Sequence, residues 1–284
     1  MEIFLADEHS YYLIPQVNPE IARDRVEQKK VNLVAGTMSA LFSQPKGEDI
    51  RLVSVENRLE PFWYISATSH TRYDRNRTYT LTASGPEVLG VTLLGQEVTA
   101  APPAKGAPAI TLAAVEHCIQ ELHSRQTFDG ITAARVDLLK YVGMAKTEIS
   151  DLNSFAPEGV LVVPPQARAT AAVRQVTAEV VQPVQNVQAI HEERVDLDAI
   201  ELHFRPIYAF EYEWTSKGKR SIIEFDAATG EIRGNGRKLQ DQIKGILTAD
   251  LLFDISADAA GLLVPGGSIA VKLVKAVVNR TNPK

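Results

Sequence analysis

The feature that most restricts this chain is a pattern that occurs twice in the same order. Tyr11-Tyr12-Leu13-Ile14-Pro15-Gln16 opens into a polar helical stretch, and Val160-Leu161-Val162-Val163-Pro164-Pro165-Gln166 opens into another. Downstream, Asp49 to Leu59 alternates polar and apolar residues up to Pro61, and Asp198 to Arg205 does the same up to Pro206. Each run resumes with aromatics. From Pro15 to Pro61 is 46 positions and from Pro164 to Pro206 is 42, so the spacing is nearly kept. Two ordered matches predict an internal duplication. Each copy reads as a short strand, a helix and about three antiparallel strands, the alternating runs being stopped by proline.

The expected fold class is therefore α+β: two repeated units, each a helix packed on a small antiparallel sheet, with a helical insert and a C-terminal helical tail. The expected boundaries are 1–100 for the first unit, 101–155 for linker and insert, 156–236 for the second unit and 237–284 for the tail. In the first unit Asn18 is a natural N-cap with Pro19 at the first helical position. The Pro- and Ala-rich run from Ala100 to Pro108 reads as a semi-rigid linker. Leu112, Val115, Ile119 and Leu122 have helical spacing, as do Val136, Leu139, Val142 and Met144, so 112–124 and 131–149 are predicted helices. In the tail, Ser268 caps a predicted last helix with Ala270, Leu273, Val274 and Val277 on one stripe.

The segment Tyr208 to Ile232 is similar to the closing hairpin of PepSY-like domains, which end in an Asp-Ala-x-Thr-Gly-Glu turn matched here by Asp226-Ala227-Ala228-Thr229-Gly230-Glu231. That resemblance implies a small sheet-on-helix module engaged in binding or in regulating peptidases. It brings no catalytic residues.

Composition narrows the function classes. The chain has 284 residues and a formal net charge of −5, with a pI of about 5.8, which disfavours a protein built around nucleic acid. Cys118 is the only cysteine, so no disulfide forms within the chain. An acidic start with a short apolar run does not read as an export signal. No run of about 20 apolar residues is present to span a bilayer, Ala259–Val278 being broken by Pro265, Gly266, Gly267, Lys272 and Lys275. A cytoplasmic location is expected.

Four groups carry chemistry. Glu211, Glu213, Glu224 and Asp226 lie on the predicted hairpin, with Glu211 placed opposite Glu224, where they could hold a hard cation or work as acid and base. A solvated sheet face is the plainer reading. His117, Cys118 and His123 fall on one predicted helix, but at spacings of five and six that suit metal ligation poorly. Arg72, Tyr73, Arg75 and Arg77, in the basic run from His70 to Arg77 at an expected hairpin tip, could bind phosphates or an acidic partner. Lys272 and Lys275 beside the last apolar stripe could reach a membrane surface or a partner's groove. Walker, dinucleotide and Gly-x-Ser-x-Gly motifs are absent, and no cofactor is expected.

These observations favour a non-enzymatic binding or scaffold protein acting on another protein or on itself. The alternatives are a regulator or inhibitor of a peptidase or other enzyme, a metal-dependent hydrolase using the four carboxylates, and peripheral membrane contact through the tail.

Overall fold

Pro61 and Pro206 do not stop their strands. In the computed structural model, which describes residues 1–35, 46–101, 108–234, 236–237, 247–255 and 272–275, β3 runs unbroken over Ile50–Thr82 and β10 over Val187–Trp214. These two strands pair antiparallel along almost their entire length, with Pro61 opposite Phe204 and Leu59 opposite Pro206. The expectation of two separate helix-on-small-sheet units is thereby overturned. The fold is predominantly β, an eleven-stranded mixed sheet among the described residues with β3 and β10 at its centre.

The prolines are tolerated because each sits where the strand on its other flank changes. Beside β3, the short β9 (Leu161–Val162) covers Arg58 and Leu59, and β6 (Ala109–Asp129) takes over from Phe62. Beside β10, β2 (Glu8–Leu13) ends opposite Phe204 and β11 (Lys219–Asp226) begins opposite Ile207. A residue without an N–H costs least at such a junction. The proline carbonyls are used: Gly130 N–H donates to Pro61 O at 3.0 Å and Ala227 N–H to Pro206 O at 3.0 Å. A Cβ on Gly130 would stand 2.7 Å from that carbonyl, so the close approach requires glycine.

The parallel pairings cross between the halves of the chain. β2 pairs with β10, and β9 pairs with β3. β1 (Glu2–Leu5) extends the sheet beside β10 and is joined by β13 (Lys272–Lys275). β8 (Lys146–Glu148) pairs with β2, β7 (Arg135–Val136) with the end of β6, and β12 (Ile232–Arg233) with β11. A separate hairpin joins β4 (Gly90–Leu93) to β5 (Gln96–Thr99).

Among the described residues four helices cover one face of the sheet, and the short helix Leu139–Val142 packs Tyr141 on Phe62 of the other. Alternation on β3 turns Trp63, Ile65, Ala67 and Ser69 towards α4 (Ala169–Val180), where Trp63 Nε1 donates to Ala167 O at 2.9 Å and Ser69 Oγ to Val180 O at 2.6 Å. On the same face of β10, Tyr208, Phe210, Tyr212 and Trp214 pack on α1 (Pro19–Glu27) and α2 (Lys30–Ala35). Asn18 caps α1 as expected, its Oδ1 accepting Ile21 N–H at 2.9 Å, with Pro19 in the first turn. α5 (Ala249–Phe253) adds Phe253 edge-on to Trp63, ring centres 5.0 Å apart.

The helical insert is also corrected. Residues 112–124 lie within strand β6, and 131–149 holds β7, the short α3 (Leu139–Val142) and β8. In the tail Lys272–Lys275 is strand, not helix; the remainder of the predicted last helix lies outside the described residues. Among the described residues no helix is long and apolar enough to cross a membrane.

Candidate functional site

Opposite those four helices the sheet presents a polar face, and strand alternation places all six histidines on it. At its middle His203 is fully buried, stacked on Phe62 with ring centres 5.0 Å apart and lying 5.3 Å from Tyr11. Its Nε2 is 2.7 Å from Glu201 Oε2, and Lys146 Nζ reaches the same oxygen at 3.2 Å while lying 4.1 Å from the Tyr11 ring centre. Burial drives the imidazole pKa below its ordinary value, against the pull of Glu201. Burial works the other way on Glu201, but His203 and Lys146 outweigh it and hold the carboxyl low. Beside this group lies a cleft of about 660 Å³. Phe4, Leu5 and Tyr11 are among its apolar residues, and Asp7, His9, Asp198 and Glu201 among its polar ones.

From there a row of imidazole–carboxylate couples runs outward across β10, β3 and β6. His123 Nδ1 is 3.0 Å from Thr68 Oγ1, which donates to Asp198 at 2.8 Å. His70 Nδ1 is 3.0 Å from Glu121 and its Nε2 is 3.7 Å from Asp196. Furthest out, Asp74 accepts from two rings, His117 Nδ1 at 2.7 Å and His191 Nε2 at 2.8 Å, and these bonds hold its carboxyl below the usual range. Among the described residues no group of three or more His, Cys, Asp and Glu is arranged to hold a metal ion.

The basic run is not a hairpin tip. Arg72, Tyr73, Arg75 and Arg77 lie within β3, and alternation sends Arg72 to the polar face and the other three to the opposite one. Arg72 faces Glu192 at 3.9 Å. Glu116 of β6 gathers Arg75 at 2.5 Å, Arg77 at 4.0 Å and the Tyr79 hydroxyl at 2.5 Å. Tyr73 is buried opposite Cys118. Because β6 is a strand, Cys118 is turned away from His117 and His123, and its thiol sits 3.7 Å from Glu116 O.

The four hairpin carboxylates are likewise drawn apart, Glu211 and Glu213 to one arginine and Glu224 and Asp226 to other partners. Trp214 pairs with Lys219, so the loop holds Thr215 to Gly218 and shifts the register by two: Glu211 stands opposite Ile222, and Glu224 opposite Ala209. Arg220 is 3.6 Å from Glu211 and 3.9 Å from Glu213. Glu224 accepts from Arg237 N–H at 2.8 Å. Asp226 accepts the backbone N–H groups of Ala228 and Thr229 at 3.0 Å each, and Gly230, at φ 76°, closes that turn.

A buried charged centre was missed by sequence reasoning. Arg58, 2% exposed, has Glu56, Glu60 and Glu224 at 3.7, 3.8 and 3.9 Å and donates to Arg237 O at 3.1 Å. Arg205 bonds Glu60 at 2.8 Å and lies 3.6 Å from Asp226, which also accepts from the Tyr141 hydroxyl at 2.5 Å. Burial would lower the Arg205 pKa, but Glu60 and Asp226 more than offset it. The available signal was position: both arginines stand within three residues of the prolines that mark the strand junctions.

Beyond residue 75, β3 and β6 continue as a two-stranded arm. Every β3 residue from Asn76 to Thr82 is exposed. Tyr79 and Leu81, each 46% exposed, lie on one face and Val115, 47% exposed, on the other. No protein-family model matches this chain, and neither a curated protein nor a solved structure matches it.

Proposed function

We propose that the chain is a non-enzymatic binding protein that joins a larger assembly through the arm formed by residues 76–82 of β3 and 110–116 of β6. The observation that carries this reading is apolar exposure on both faces of a two-stranded ribbon, over which the described residues place no third layer to bury Tyr79, Leu81 or Val115. Such a ribbon is marginal by itself, and a partner is the physical means of covering it. The charge pairs around Glu116 keep the two strands in register before a partner arrives. The ion pairs on the polar face also support recognition over chemistry, since Glu201, Asp196 and Asp74 each already answer an imidazole or cation of the chain itself.

The test is in-cell crosslinking, identification of the captured protein and reconstitution from purified components. The intact chain is expected to bind that partner, and a Tyr79→Ser, Leu81→Ser variant to bind it at least about tenfold more weakly with unchanged thermal stability. Isolation of the chain as a free monomer with no stoichiometric partner counts against the proposal.

A further inference from the structure

The outer edge of β6 is the longest free strand edge among the described residues. From residue 110 to 126 it pairs on one side with β3, without a register shift, and among the described residues nothing pairs with its other side. Ala101 bridges to Ala109 at one end, and β7 pairs with Thr127 and Phe128 at the other. The free stretch is about 55 Å long at the usual strand rise. Exposed edges are ordinarily blunted by proline, lysine, bulges or shortness. This one contains no proline, lysine or glycine, and it is long and regular. Ile119, 68% exposed, and Val115 project on one side of it, with Leu112 and Leu122 half-buried on the other.

We infer that this edge is a slot for an extended segment of another polypeptide, which adds to the sheet as an antiparallel strand beside residues 110–126. The inference rests on the binding reading above and names the mode and chemistry of the partner. A second copy of the chain does not fit. In any two-fold antiparallel pairing of two β6 edges, each copy brings its own Ala101 bridge and its own β7. Every register that overlaps the free stretches drives one of these into the other copy's backbone. A single strand meets neither obstacle if it is no longer than the gap.

The side chains along the slot define what it takes. Glu121 near the middle, with its carboxylate about half exposed, calls for lysine or arginine opposite, and Arg125 at one end calls for an acid. Val115 and Ile119 call for β-branched residues across from them. Read in the antiparallel direction, the segment thus runs acid, base, then two spaced apolar residues.

The experiment uses the full chain and a labelled peptide of about 15 residues. It is a threonine host with glutamate opposite Arg125, lysine opposite Glu121 and valine opposite Ile119 and Val115. Binding is followed by fluorescence anisotropy and by hydrogen exchange. In the chain alone, alternate amides of 110–126 are expected to exchange fast. With peptide they become protected, while exchanging the glutamate and lysine of the peptide, or Ile119→Lys in the protein, weakens binding at least about tenfold. Three results would overturn the slot: edge amides already protected in the chain alone, no saturable binding, or protection appearing only elsewhere. If the Tyr79 and Leu81 variant loses its cellular partner while the peptide leaves 110–126 unprotected, the slot falls and the binding reading stands.

Discussion

Arg58 and Arg75 belong to the same strand and both face glutamates, yet they live under different physics. Arg58 is sealed among three carboxylates beneath the turn that carries Asp226, whereas Arg75 meets Glu116 on an arm open to water. Around Arg58 and Arg205, desolvation makes each charge dependent on its partners, and removing one strands the rest. On the arm, water and salt substitute for a lost partner. One strand thus carries a rigid charged centre and a replaceable charged fringe, and the fringe is where a binding surface can change without endangering the fold.

The comparison can be broken at its strong end first. Arg205→Met leaves Asp226 buried without its cation and Glu60 with only the longer contact to Arg58, and is expected to lower stability by about 3–5 kcal/mol, read by denaturant unfolding. A loss under about 1 kcal/mol would show that the centre behaves like the fringe. An intermediate effect belongs to His203, whose folded pKa is depressed by burial. The unfolded chain takes up a proton that the folded one resists, so the contribution to stability is present above pH of about 6.5 and is lost as pH falls below that towards the folded pKa. The Tm of the intact chain should therefore fall between about pH 7.5 and about pH 5.5, more steeply than that of His203→Gln. Equal slopes would remove His203 from the account. At the weak end, Arg75→Gln should leave the Tm unchanged in physiological salt, and a clear drop would mean that the arm's charge pairs hold the fold.

Part of this was legible in the sequence. Asn18-Pro19, the alternating runs before each proline and the Asp226–Gly230 turn are local signals, and the structure uses each one locally. β6 was not legible. Leu112, Val115, Ile119 and Leu122 fall at helical intervals because the strand has apolar residues on both faces and neither face is deeply buried, so the two-residue period is blurred. Its identity comes from pairing with β3, a partner far away in the chain. The basic run misled for the same reason: its cations are matched by Glu116 and Glu192, which only the sheet brings near. The polar face was invisible because its histidines come from β2, β3, β6 and β10, and alternation within any one strand does not reveal that they share a side.

The crossed parallel pairs carry a consequence for biosynthesis. β2 leaves the ribosome early and has only the three-residue β8 beside it until β10 is made, and β3 waits equally long for its main partner. The first half of the chain therefore cannot complete its sheet during translation, and its long aromatic-rich strand stays exposed to chaperones or to aggregation until the last third emerges.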